Sequence, residues 1–184
     1  GLYFHLSFTQ SLKVPTDTVV ITKHKTVIKG FAMNYTAETG MQPVWDDDGV
    51  VIASLFYTYY RRDNVKNRNQ RPVIISFNGG PGSASVWMHM AYTGPRILKV
   101  DDEGYPVQPY GYKSNPYSIL DVADIVFVNP VNTAYSRRVA NKEGELPDRE
   151  QFFGINEDIA YLSSWINTFI SRKNRWESPK YLIG

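Results

Sequence analysis

Five consecutive residues, Asn78-Gly79-Gly80-Pro81-Gly82, carry the strongest chemical signal in the chain. Glycines in series let the backbone approach a bound group closely and aim N–H groups at it. Two chemistries use such a loop. One cradles phosphate, but a P-loop closes on Gly-Lys-Ser/Thr, and here Gly82 is followed by Ser83-Ala84-Ser85. The other is an oxyanion hole, in which backbone N–H groups stabilise the charge of a tetrahedral acyl-transfer intermediate. A tight turn with no ligand remains a third reading, and the loop alone does not choose. Cysteine is absent, which excludes disulfides, thiolate catalysis and Cys-ligated zinc. His89 follows the loop at helical distance and reads as a core or interface histidine.

The elements around the loop say where it sits. Val73-Ile74-Ile75-Ser76-Phe77 is a short β-branched run of the kind buried in a parallel sheet, and a helix is expected from Ser83 to Tyr92. The loop therefore lies at the carboxyl edge of a sheet, where open α/β folds bind ligands. Asp124-Ile125-Val126-Phe127-Val128 reads as a second buried strand, and Tyr181-Leu182-Ile183 as a third. Between them Ile155, Ile159, Leu162, Ile166, Phe169 and Ile170 recur at helical spacing, with Glu157 and Asp158 at the positive end of the dipole.

Upstream, residues 16–60 alternate like antiparallel β structure. Thr18 to Thr22 is one strand. Lys25 to Lys29 with Phe31 to Tyr35 makes one or two more, and Asp46-Asp47-Asp48-Gly49 is a turn. Val50 to Tyr60 puts Ala53, Leu55, Tyr57 and Tyr59 on one face. The charged stretch 61–71 reads as a solvated surface loop, and a hairpin is expected from Ile97 to Gln108 around Asp102-Glu103-Gly104.

The chain has 184 residues, 42% hydrophobic and 21% charged, which suits one compact domain. A net charge of +2 gives no electrostatic footprint for nucleic acid or a membrane surface, and no apolar run reaches the roughly 18 residues of a membrane span. Asn34-Tyr35-Thr36 is a single glycosylation sequon of little weight alone.

Phe77 to Ser85, followed by Gly94-Pro95, resembles the signature block of the serine carboxypeptidases, the carboxypeptidase Y-like peptidase family. Asn115-Pro116-Tyr117-Ser118 and the segment from Asp124 to Asn132 resemble its next block, which Tyr135-Ser136 closes. The blocks keep the family's order and spacing from about Gly30 to Gly184, and the cysteine-free Ser83 variant resembles the bacterial branch. The resemblance implies an α/β-hydrolase fold. Residues 1–15 would be a tail or processing remnant, and residues 16–184 the N-terminal part of one domain: an antiparallel β extension plus the start of the parallel sheet. It also implies a secreted or periplasmic location.

In that family the nucleophile stands on a Gly-x-Ser-x-Gly elbow, with the triad Asp and His later. Tyr181-Leu182-Ile183-Gly184 aligns with the strand and first glycine of that elbow, so the triad is expected outside these residues and the chain alone is expected to be inactive. The complete enzyme would release C-terminal residues from peptides through an acyl-enzyme, with no metal and no cofactor. By resemblance Gly80 supplies one oxyanion N–H, while Asn78 and Gly79 hold the substrate's C-terminal carboxylate. Tyr135 and Trp87 are further candidates for the cleft wall, although each also reads as core. Expected partners are a peptide with a free C-terminal carboxylate and the remainder of the polypeptide, or a second chain, completing the sheet. Three positions depart from the family: Ser76 stands where a Trp is usual, Tyr92 where a Glu is usual, and Ala134 where a glycine is common. A truncated fragment or binding module, or a related esterase or acyltransferase, is the alternative.

Overall fold

The computed structural model describes residues 15–78 and 82–184. Three long strands open it: β1 (Thr18–Ile28), β2 (Phe31–Trp45) and β3 (Val51–Arg62), paired antiparallel in sequence order. The Asp46 carboxylate turns the chain between β2 and β3 by accepting the N–H groups of Asp48 and Val50 at 3.1 and 2.7 Å. The face expected of β3 holds, with Ala53, Leu55, Tyr57 and Tyr59 buried in one cluster, and Ser54, Thr58 and Tyr60 of its other face are buried too. β1 runs unbroken where the sequence suggested an interruption after Thr22. Its Val19, Val20 and Ile21 are exposed, because β1 forms an edge of the sheet.

The parallel part comes from β4 (Val73–Ser76), β7 (Asp124–Val128) and β9 (Lys180–Ile183), with β4 between the other two and parallel to both. β7 also pairs antiparallel with β3, so one sheet runs β1-β2-β3-β7-β4-β9. The two-residue strand β8 (Arg137–Arg138) adds to β3. A separate hairpin joins β5 (Arg96–Leu98) to β6 (Tyr112–Ser114). The return strand lies later than the sequence suggested: Ile97 pairs with Lys113, while Tyr105 to Gln108 folds back on Lys99 to Asp101 through the Val100–Pro106 bridge and backbone bonds from Asp101 N–H to Tyr105 O and from Val107 N–H to Lys99 O, at 2.9 and 3.1 Å.

Each face of the sheet is covered. Helix α1 (Ile155–Arg172) lays Tyr161, Trp165, Phe169 and Ile170 against Tyr57, Tyr59, Ile75 and Val126. The Phe169 ring meets Tyr57 and Tyr59 edge-on at 5.5 and 5.2 Å. Such full burial is worth about 1.5–3 kcal/mol per large apolar side chain. The contact stripe differs from the expected one, for Ile155 and Ile159 are 82% and 60% exposed while Tyr161 and Trp165 take the buried positions. On the opposite face Tyr60, Ile74, Ile125 and Phe127 pack with Leu120 and Ala123.

The stretch 61–71 is in part the solvated loop that its composition suggested, with Asn64, Lys66, Asn67, Asn69 and Gln70 exposed, but Arg68 and Arg71 turn inward. Asp124, fully buried at the start of β7, accepts Arg71 Nε at 2.7 Å, Arg175 Nη1 at 2.6 Å and Arg68 Nη1 at 2.8 Å. The Arg62 N–H completes the set at 3.0 Å. Arg71 and Arg175 are themselves buried, so the loop is stapled beneath the amino end of the parallel strands. A lone carboxylate there repays the desolvation of the guanidinium groups only because nearly all of its lone pairs are used.

Candidate functional site

β4 reaches the carboxyl edge of the sheet with a last ladder bond from Phe77 N–H to Ile183 O at 2.9 Å. Asn78 follows. Its backbone N–H donates to Ser85 Oγ at 3.3 Å, its Oδ1 accepts the Met88 N–H at 3.1 Å, and its Nδ2 donates to Ser83 Oγ at 3.4 Å. Because the oxygen is committed to a backbone donor, the amide orientation is set, with the NH₂ group toward Ser83. One of its two hydrogens has no partner among the described residues.

The segment after the loop is clipped to the sheet by polar side chains. Ser85 Oγ donates to Val128 O at 2.5 Å, and Ser85 N–H donates to Asn129 Oδ1 at 2.9 Å. Asn129 Nδ2 donates to Phe56 O at 3.1 Å, while Ser136 Oγ bridges Asn129 O and Phe56 N–H at 2.7 and 2.8 Å. Asn78, the end of β7 and the middle of β3 thus form one hydrogen-bonded frame.

A helical segment then runs from residue 86 into a π-helical turn, Met88–Thr93. The turn ends at Gly94, where an added Cβ would lie 2.2 Å from His89 O, so only glycine fits. The carbonyls left free there are capped: Asn115 Nδ2 donates to Tyr92 O and Gly94 O, each at 2.8 Å, and Ser118 Oγ donates to Thr93 O at 2.9 Å. The Asn115-Pro116-Tyr117-Ser118 motif is a brace for this turn.

Two hollows flank Asn78. A cleft of about 500 Å³ on the α1 side is lined by Phe77, Asn78, Val131, Phe152, Ile155 and Leu162, with Asp158 the charged residue on its wall. Burial, together with the neighbouring Asp158 carboxylate, raises the Tyr161 pKa, and the Tyr161 hydroxyl accepts the Val131 N–H at 3.3 Å. On the other side a hollow of about 420 Å³ is lined by Asn78, Trp87, Met88 and Tyr92, with no charged residue.

The structure brings together Asn78 and Trp87, whose ring is 58% exposed rather than part of the core. Tyr135 is 70% exposed, packs edge-on against Phe56 at 5.1 Å and lines neither hollow. Gly79 and Gly80 lie outside the described residues. Ser76 is fully buried, and its hydroxyl has no partner among the described residues. Ala134 adopts φ +47°, which accounts for a glycine being common at this point. His89 is a packing residue, as the sequence suggested. Its ring stacks on Phe127 at 4.5 Å and Nε2 bonds the Tyr60 hydroxyl at 2.7 Å, and desolvation pushes its pKa down to about 4. Sequence reasoning missed the frame of Ser85, Asn129 and Ser136 and the position of Asp158. Asn129-Pro130 directly after a buried strand was the available signal for the frame.

The profile of the serine carboxypeptidase family matches residues 31–184. Among curated proteins, the chain is 29% identical over 124 residues to serine carboxypeptidase-like 36 of Arabidopsis thaliana, covering 67% of this chain and 24% of that protein. It is 34% identical over 92 residues to carboxypeptidase Y homolog A of Pyrenophora tritici-repentis, covering 49% of this chain and 15% of that protein. Among solved structures, Kex1(delta)p, a prohormone-processing carboxypeptidase from Saccharomyces cerevisiae, superposes with a TM-score of 0.59 at 20% identity, over 82% of this chain and 30% of that one. That likeness shows the fold, the mixed sheet of an α/β hydrolase. The chain spans a third or less of the length of these relatives.

Proposed function

The chain belongs to the serine carboxypeptidase family, and from that premise we propose that it is the carboxylate-binding part of a hydrolase that releases C-terminal residues from peptides. The observation that carries the reading is Asn78. Its oxygen is tied to the Met88 N–H and its NH₂ group to Ser83 Oγ, which leaves one amide hydrogen without a partner among the described residues, beside two hollows at the carboxyl edge of β4. A neutral amide suits a carboxylate, because it donates without a charge of its own to desolvate.

In this proposal Asn78 and the Gly79 N–H orient the C-terminal carboxylate. The Gly80 N–H stabilises the oxyanion, and a serine beyond these residues forms the acyl-enzyme. No Gly-x-Ser-x-Gly occurs in the 184 residues. On the same reading, residues 1–184 by themselves hydrolyse no peptide. The test is the full-length protein on a blocked dipeptide with a free carboxyl terminus, before and after a serine-directed phosphonate. Release of the terminal amino acid that the phosphonate abolishes is expected. Absence of release, or release the phosphonate does not touch, overturns the reading.

A further inference from the structure

The sheet has an open edge along β1, and the turn that ends this strand fixes which of its backbone groups face outward. Only Lys29 and Gly30 link β1 to β2, both with positive φ, +49° and +82°, the geometry of a tight hairpin turn. Ile28 and Phe31 therefore form a hydrogen-bonded pair, and such pairs alternate from there along β1. Odd-numbered residues of β1 consequently turn their N–H and C=O groups away from β2. Lys25 agrees with this, since its carbonyl accepts Arg96 Nη2 from β5 at 3.3 Å. The outward groups of Val19, Ile21 and Lys23 have no partner among the described residues. Sheet edges are usually blunted by proline, bulges or charge. Residues 18–22 carry none of these. Their register against β2 is unbroken, and Val19, Val20 and Ile21 are exposed, Val20 at 64%.

We infer that this edge pairs with the same edge of a second copy of the chain, antiparallel about a two-fold axis at Val20, so that two sheets become one. The sequence is self-complementary about that residue. Thr18-Val19-Val20-Ile21-Thr22 places Thr opposite Thr, Val opposite Ile, and Val20 opposite Val20 of the second copy. An isologous contact needs such self-complementarity, and β-branched cross-strand pairs favour it. The register also agrees with the hydrogen-bonding pattern, because it sets Val19 against Ile21, two residues whose backbone groups face outward. One pair further it sets Asp17 against Lys23 of the second copy. Both side chains are half-exposed or more, and each keeps its partner within the chain, Arg172 for Asp17 and Asp63 for Lys23. These opposite charges fix register more than affinity. The open length ends on both sides. Before Asp17 the chain leaves the edge, with Thr16 O accepting Ser54 Oγ at 2.7 Å, and beyond His24 the Arg96 contact with Lys25 covers it. A strand pair this short makes a small interface, so the dimer is expected to form at roughly 10 μM protein and to dissociate on dilution.

The test uses the full-length protein in sedimentation velocity over about 1 to 100 μM, where a monomer–dimer equilibrium is expected. Val20→Lys sets two ammonium groups opposite each other at an exposed position, and should raise the dissociation constant about tenfold or more. Val20→Cys tests the register under mild copper-phenanthroline oxidation. The two-fold mates form a non-hydrogen-bonded pair with Cβ atoms about 4.5–5.5 Å apart, near enough for a disulfide with little movement. Thr22→Cys is the control. It lies on the same face, but its mate in the second copy is roughly 14 Å along the strand. Cross-linking of Val20→Cys well above Thr22→Cys and wild type is the expected result. A wild type that is monomeric at every concentration, whether another segment of the chain or nothing covers β1, overturns the inference. So does a dimer that Val20→Lys leaves intact, or equal cross-linking of the two cysteine variants.

Discussion

Replacing Asn78 by two different residues separates its proposed role in binding from its role in folding. Asn78→Asp keeps the acceptor for the Met88 N–H, so the loop and the turn stay joined. What changes is the outward group, from an NH₂ donor to an anionic oxygen. On a free-acid substrate this loses a hydrogen bond to a charged group, worth about 1.5–3 kcal/mol. It also sets two like charges about 4 Å apart, worth about 4 kcal/mol more at an effective dielectric near 20. The two together predict a fall of roughly 10⁴- to 10⁵-fold in kcat/KM on the free acid, at a pH where both carboxylates are ionised. The amide substrate has no charge to repel and should stay within about tenfold. Asn78→Ala removes the donor without adding charge, so the acid-specific loss drops to about 10- to 150-fold. It also frees the Met88 N–H, which adds a smaller loss common to both substrates. The assay is the ratio of kcat/KM on acid and amide for wild type and both variants. A ratio for Asn78→Asp within about twofold of wild type would refute the reasoning, because an anion in a carboxylate site cannot be neutral in effect.

Two further predictions concern the scaffold. Asp124→Asn leaves the buried guanidinium groups of Arg71 and Arg175 without their counter-charge and should cost about 3–5 kcal/mol in urea denaturation, against about 1 kcal/mol or less for Arg68→Met at the half-exposed rim. A cost below about 1 kcal/mol for Asp124→Asn would show that the cluster is solvated. His89, with its folded-state pKa depressed to about 4 from 6.5, contributes stability that is full above pH 6.5 and lost as pH falls toward 4, because only the unfolded state takes up the proton in that window. The loss is up to about 3 kcal/mol, read from denaturation midpoints between pH 4 and 7, and a slope unchanged in His89→Asn would refute its assignment to this ring.

The legible parts of the sequence were those where one local rule decided the outcome. β3 could be read because its apolar and aromatic residues alternate onto the face that α1 covers, and β7 because five buried residues in a row suit a strand covered on both. The α1 helix was visible in its period, but its buried stripe was not. Ile155 and Tyr161 both satisfy an apolar pattern, and which of them faces the sheet is set by how the helix lies on Tyr57 and Tyr59. The stretch 61–71 was legible only in part, for a related reason. Arginine in a polar loop is usually solvated, and only the position of Asp124 across the sheet pulls Arg68 and Arg71 inward. Asn78 was identified through resemblance to a family motif. Tyr92 was visible only as a departure from that motif, because its place beside Asn78 depends on a π-helical turn that no sequence period announces.

The residue types of the motif blocks follow from where the site lies. Beyond the carboxyl ends of parallel strands the chain leaves the ladder, and its backbone donors and acceptors must be satisfied by something else. Here side-chain amides and hydroxyls do it. Ser85 takes the carbonyl at the end of β7, Asn129 and Ser136 tie the next residues to Phe56, and Asn115 with Ser118 holds the carbonyls after Tyr92. None of these five needs to touch substrate in the proposed mechanism. A short side chain that both donates and accepts is what such a position requires, which is why asparagine and serine recur along the loop edge and lysine and glutamate do not. Asn78 differs from the five in one respect: its carbonyl oxygen meets the structural need at Met88, its NH₂ group reaches Ser83, and one amide hydrogen is left without a partner among the described residues. A side chain bound to the frame at both ends, with one hydrogen to spare, is held in place at little entropic cost when ligand arrives. That division of labour within one amide makes Asn78 the point where the frame becomes a site.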